Sequence, residues 1–132
     1  MLALLISNDD LIPLELALTE LVGLARLPVL MQVSWHLRQR DCSRALQLAD
    51  EVEKYLSMSV ATEADKRIYL ARLCLARGEI KALFADLSGA YRLAKIGLEL
   101  FHQTGNTIGI GDANYLLSFI ESERGADQLA EA

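Results

Sequence analysis

The segment Gly78-Glu-Ile-Lys-Ala-Leu-Phe-Ala-Asp-Leu-Ser-Gly-Ala90-Tyr-Arg-Leu-Ala-Lys-Ile-Gly97 contains the end of one helix, a turn and the start of another. Asp86-Leu-Ser-Gly89 is turn chemistry. Beyond it Ala90, Leu93, Ala94, Gly97, Leu98 and Phe101 recur at three- and four-residue steps, which predicts a helix with one apolar stripe. The preceding helix is predicted from Thr62, a good N-cap with Asp65 three residues on, to about Ala85. Gly78 sits inside it and costs roughly 1 kcal/mol relative to alanine, so the position requires a bare backbone. Ala90 follows Gly78 by 12 residues and Gly97 follows Ala90 by 7. Small residues at such places let two antiparallel helices approach closely.

The same spacing occurs twice more. Val33 is followed by Ala45 and Val52 at the same two steps, and Ser118 is followed by Ala130 after 12 residues. Six helices are predicted in all. The first follows Asp9-Asp10 as its cap, has Pro13 in its opening turn, and runs to about Arg26; apolar on several sides, it should be largely covered. The second spans Pro28 to about Arg40. The third opens after Asp41 with Ala45, Leu48, Ala49, Val52, Tyr55 and Leu56 as one stripe, and a loop from Ser57 to Ala61 follows. Thr104-Gly105-Asn106 separates the fifth from a sixth carrying Ile110, Ala113, Leu116, Leu117 and Ile120, which Gly125-Ala126-Asp127 is expected to turn. The fold class is therefore all-α: antiparallel helical hairpins in a single domain over residues 1–132. It comprises a packing helix over 1–27, hairpins over 28–57 and 62–103, and an incomplete third over 107–132.

Composition agrees. Hydrophobic residues make up 52% of the 132, yet aromatics only 6%, so the core is aliphatic and suits helix packing better than a sandwich. The net charge of −5 comes without a basic cluster, against nucleic acid and against an anionic membrane surface. The apolar opening Met1–Ile6 is too short for a signal-peptide core or a membrane span, which leads to the expectation of a cytoplasmic protein. Cys42 and Cys74, isolated from any ligand partner, read as small core residues.

The small-residue skeleton at Val33, Ala45 and Val52, at Gly78, Ala90 and Gly97, and at Ser118, Gly125 and Ala130 resembles the tetratricopeptide-repeat family over roughly residues 28–132, in the divergent form found in bacterial regulators. Its departures are Val29, Cys74 and Asn114 for the usual large aromatic, and His36, Lys81 and Glu121 for the usual tyrosine. The repeats are also long: 45 residues from Ala45 to Ala90 and 40 from there to Ala130, against about 34 for the family. The resemblance implies a short right-handed α-α superhelix that binds a protein or peptide segment in a concave groove. That groove would be lined by Leu30, Ser34, Leu37 and Arg38, by Arg72, Leu75 and Glu79, and by Tyr115, Phe119 and Glu123. Leu30 with Ser34, Leu75 with Glu79 and Tyr115 with Phe119 stand where carboxylate-clamping members carry Lys and Asn, which argues against that mode.

No chemistry is expected of the chain, and no cofactor or metal. His36 and His102 lie far apart without ligand-spaced Glu or Cys and read as surface or boundary residues. The segment Gly105-Asn-Thr-Ile-Gly109-Ile-Gly111-Asp112 lacks the Lys-Ser/Thr and the preceding strand of a phosphate loop. Gly105 reads instead as a left-handed helix end, and Gly109 and Gly111 as sites of close packing. Asp86, Glu99, Asp112, Glu121 and Glu123 read as solvated. The primary expectation is a non-catalytic interaction scaffold. The alternative is the N-terminal sensory region of a larger bacterial signalling protein, since the long repeats and the run Gly105–Ala113 look similar to helical regions before diguanylate cyclase domains or in large transcriptional activators. The partner would then be the remainder of a longer chain. A small-molecule-binding or enzymatic bundle would instead need a closed apolar pocket. The mean hydropathy of +0.23 and the want of polar capping helices predict a homodimer, through the first helix or the last pair.

Overall fold

The computed structural model describes residue 4, residues 6–58 and residues 61–131, the last five by backbone alone. Among the described residues the chain is all-helical, with no strand. It divides into two compact units, Met1–Thr62 and Glu63–Ala132.

The first unit contains α1 (Asn8–Glu20), a 3₁₀ turn (Gly23–Arg26), α2 (Leu27–Leu37) and α3 (Cys42–Met58). Ser7, rather than the Asp9-Asp10 pair, caps α1. Its hydroxyl accepts from the Asp10 N–H at 3.3 Å, while the Asp10 carboxylate accepts from the Ser7 N–H at 2.9 Å. That reciprocal pair satisfies two of the amides a helix start leaves open. Pro13 accordingly falls in the second turn, not the first. The helix also stops six residues before the expected Arg26. Gly23 takes a left-handed φ of +63°, and the Arg26 guanidinium folds back to donate to the carbonyl oxygens of Leu18 and Leu21 while pairing with Glu51 of α3 at 2.9 Å. Nor is α1 largely covered: Leu18 alone is fully buried, and Ile12 and Leu16 are exposed.

α2 is buried almost all round, with Leu30, Met31, Val33, Ser34, Trp35, His36 and Leu37 each under a tenth exposed. It meets α3 at the expected level, but through Val33's neighbour: the Ser34 hydroxyl donates to the Ala45 carbonyl at 2.8 Å. Ala45, Leu48, Ala49, Val52 and Leu56 form the buried stripe of α3.

The second unit contains α4 (Glu63–Leu83), α5 (Leu87–Gln103) and α6 (Thr107–Glu131). A methyl group on Gly78 would lie 3.3 Å from the Ala90 carbonyl, and one on Gly97 would lie 3.2 Å from the Ala71 carbonyl. The two approaches are two turns apart on both helices and run in opposite order, so α4 and α5 pack antiparallel along their length. The expected couple Gly78/Ala90 is therefore present. The couple Ser118/Ala130 is not. α6 continues unbroken through Gly125, where a turn was expected, so both residues lie on one helix; the side chain of Ala130 is outside the described residues. Nothing near Gly125 forces a break: an added methyl there would meet no atom within 4 Å.

The two turns of this unit share one design. Ala85 and Gly105 are left-handed, at φ 65° and 63°, and the next residue serves both helices. The Asp86 N–H closes α4 on the Lys81 carbonyl, and the Asn106 N–H closes α5 on that of Phe101. Their side chains then cap the helices that follow, accepting from the N–H groups of Gly89 at 3.0 Å and Gly109 at 2.8 Å.

Candidate functional site

The last helix is held in one rotational setting by contacts along its inner side. The Gly109 backbone lies directly on the Phe101 ring: an added methyl would come within 2.2 Å of a ring carbon. Ala113, Leu116 and Ile120 continue this inner stripe and are buried, with Leu116 reaching Gly78 of α4. The flanks are pinned by charge. Arg72 of α4, itself only 4% exposed, pairs with Asp112 at 2.6 Å and lies over the Phe101 ring at 5.0 Å. Arg124 lies over the ring of Tyr91 of α5 at 4.6 Å. Such contacts are worth more where one partner is out of water.

That setting fixes what α6 shows outward. Ile108, Tyr115 and Phe119 are 73%, 77% and 38% exposed. Gly111, Ser118 and Ser122, also exposed, lie beside them on the same side of the helix. At 100° per residue the six fall within an arc of about 100°, opposite the buried stripe. No charged residue falls in that arc, although charged residues usually occupy the outer face of a surface helix. A rigid, uncharged face with two aromatics is suited to burying a complementary apolar segment.

The expected groove is not assembled as such. Leu30, Ser34 and Leu37 are buried, and the Ser34 hydroxyl is committed to Ala45. Arg38 is half-buried, stacked over Trp35 at 4.0 Å and donating to its carbonyl at 2.7 Å. Arg72 and Leu75 are buried, Leu75 against Gly97, and Glu79 is half-buried. Residues closed off in this way cannot line an open surface. The expectation placed them on a face away from the packing stripe, but α2 and α4 bury more than one side. Only Tyr115, Phe119 and Glu123 are both exposed and on one helix. Ile108 was missed; its signal was the seven-residue step to Tyr115, two full turns.

The remaining candidates resolve differently. The run Gly105–Asp112 is a helix end followed by the first turns of α6 rather than a cradle. Gly109 is needed for close packing, whereas Gly111 meets no atom within 4 Å. His36 is buried, not at the surface; its ring is 2.9 Å from the Asn8 amide oxygen, and burial, helped by nearby Arg40, pushes its imidazole below the ordinary value of 6.5. His102 is exposed. Asp86 is held below the usual carboxylate value by the Gly89 N–H and by Lys81. Cys42 and Cys74 are half-buried and not joined in a disulfide, and the Cys42 thiol donates to the Arg38 carbonyl. Among the described residues no three His, Cys, Asp or Glu gather at metal-binding geometry, and no helix is long and apolar enough to cross a membrane. Comparison with protein families, with curated proteins and with solved structures gives no match.

Proposed function

We propose that the chain is a non-catalytic helical interaction module and that it binds a protein segment through the outward face of α6. The observation that carries this reading is the exposure of Ile108, Tyr115 and Phe119 on one uncharged arc of a helix whose rotation is locked by Arg72–Asp112 and Arg124–Tyr91. A preset surface loses less conformational freedom on binding than a mobile one. Burying a few large side chains at about 25 cal/mol per Å² gives useful affinity without chemistry. The repeat-like arrangement is likewise our proposal. It is supported by the antiparallel α4–α5 crossing and by the matched turns at Ala85-Asp86 and Gly105-Asn106.

Replacing Tyr115 by a photo-crosslinking phenylalanine analogue in cells tests this. The expected result is a discrete protein adduct from position 115 and none from a control analogue at exposed Arg92 on α5. No protein adduct from position 115, or equal adducts from both positions, would overturn the reading.

A further inference from the structure

Two arginines of the second unit each bridge an aromatic ring to a carboxylate of α6. Arg72 lies over Phe101 at 5.0 Å and pairs with Asp112 at 2.6 Å. Arg124 lies over Tyr91 at 4.6 Å and pairs with Glu121 at 3.6 Å. A planar guanidinium suits both contacts at once, because its face stacks on a ring while its N–H edge meets a carboxylate. A third ring and carboxylate of this kind stand on the outside of the helix. Phe119 precedes Glu123 by four residues, so the two are surface neighbours about 5–6 Å apart at Cβ, and both are exposed. Among the described residues no arginine or lysine pairs with Glu123.

Charge says what completes this pair. Residues 107–131 hold five acidic residues, Asp112, Glu121, Glu123, Asp127 and Glu131, against one basic residue, Arg124. That arginine is committed to Tyr91 and Glu121. A helix with such a balance repels anionic surfaces, nucleic acid and acidic lipid alike, and attracts a cationic side chain. Towards its start the same exposed side is apolar, with Tyr115 and Ile108. A matching segment is therefore cationic at one end and apolar at the other.

We propose that the partner of the α6 face is a protein segment carrying an arginine beside large apolar side chains. Its guanidinium stacks on Phe119 and pairs with Glu123, and its apolar residues cover Tyr115 and Ile108. The inference rests on the role proposed above for the α6 face and names the chemistry of the partner. Arginine is preferred to lysine because an ammonium group offers no plane to stack on the ring and no fork to match the carboxylate.

A random peptide library displayed on phage and panned against the purified full chain is the test. Tyr115→Lys serves as the reference with a disrupted face, and circular dichroism confirms that each variant is folded. Peptides enriched on the chain but not on Tyr115→Lys should carry an arginine three or four residues from a large apolar residue. For a leading peptide followed by fluorescence anisotropy, Glu123→Gln should raise Kd about threefold or more, as should lysine for the peptide's arginine. Arg92→Gln, on the exposed side of α5, should leave Kd unchanged. Enriched peptides without arginine, or a Kd indifferent to Glu123→Gln, sink the arginine partner but leave the interaction module standing. If no peptide distinguishes the chain from Tyr115→Lys, both readings are overturned.

Discussion

A single methyl group at Gly109 should destabilise the second unit, while the same change two residues away should stabilise it. In Gly109→Ala the new carbon would lie 2.2, 2.4 and 2.5 Å from three carbons of the Phe101 ring. Ordinary carbon contacts lie at about 3.5–4.0 Å, so one group must move by more than an ångström. Phe101 has little room to do so: it is fully buried, with Arg72 over its face at 5.0 Å. Overpacking of this kind costs about 1–3 kcal/mol, and a clash against so confined a ring belongs in the upper half of that range. The better helix propensity of alanine returns up to about 1 kcal/mol, which leaves a net loss of about 1–2 kcal/mol. For a chain of this length that lowers Tm by about 4–8 °C. Gly111→Ala meets no atom within 4 Å and keeps the propensity gain, so Tm should rise by up to about 4 °C. Thermal melts followed at 222 nm, with urea titration for the free energies, decide the matter. If Gly109→Ala proves neutral or stabilising like Gly111→Ala, α6 does not rest on Phe101 and its outward face is assigned wrongly.

Three further outcomes follow from the same structure. Gly125→Ala should stabilise by up to about 1 kcal/mol because the position is helix interior with open space around it; a loss in urea titration would mean a left-handed turn there. Ala85→Gly should gain about 0.5–1 kcal/mol, since a left-handed alanine costs roughly 1–2 kcal/mol and the added unfolded-state freedom of glycine takes back about 0.4–1. A lower urea midpoint would contradict the φ of 65° at that residue. Burial disfavours a charged His36, so the folded chain binds this proton less readily than the unfolded one. Stability is then retained above the unfolded value of 6.5 and falls as pH drops below it. His36→Asn should flatten the stability profile between about pH 7 and 5, and an unchanged slope would place the titration elsewhere.

Much of the helical frame was legible in the sequence because several helices carry one stripe each. Ala45 to Leu56 and Ala90 to Phe101 could be read directly, and Gly78, Ala90 and Gly97 specify the α4–α5 crossing because a glycine inside a helix needs a reason. Other features depend on contacts that spacing does not encode. α1 ends early because Arg26 reaches its last carbonyls from beyond Gly23 and pairs with Glu51, a distant residue. Gly125 resembled a turn because glycine serves both a helix end and a helix interior, and only the surroundings tell which. The groove was misplaced because α2 is apolar on nearly every side, so its pattern does not say which side faces water. Asp86 and Asn106, each closing one helix and opening the next, could have been found: each is a capping residue type that precedes a glycine by three.

The central claim is that α6 turns Tyr115 and Phe119 towards solvent until a partner covers them. Hydroxyl-radical footprinting of the purified chain at micromolar concentration measures this directly. Tyr115 should oxidise rapidly while buried Phe101 stays protected. If Tyr115 is as protected as Phe101 in the dilute chain, the face does not exist in the form described.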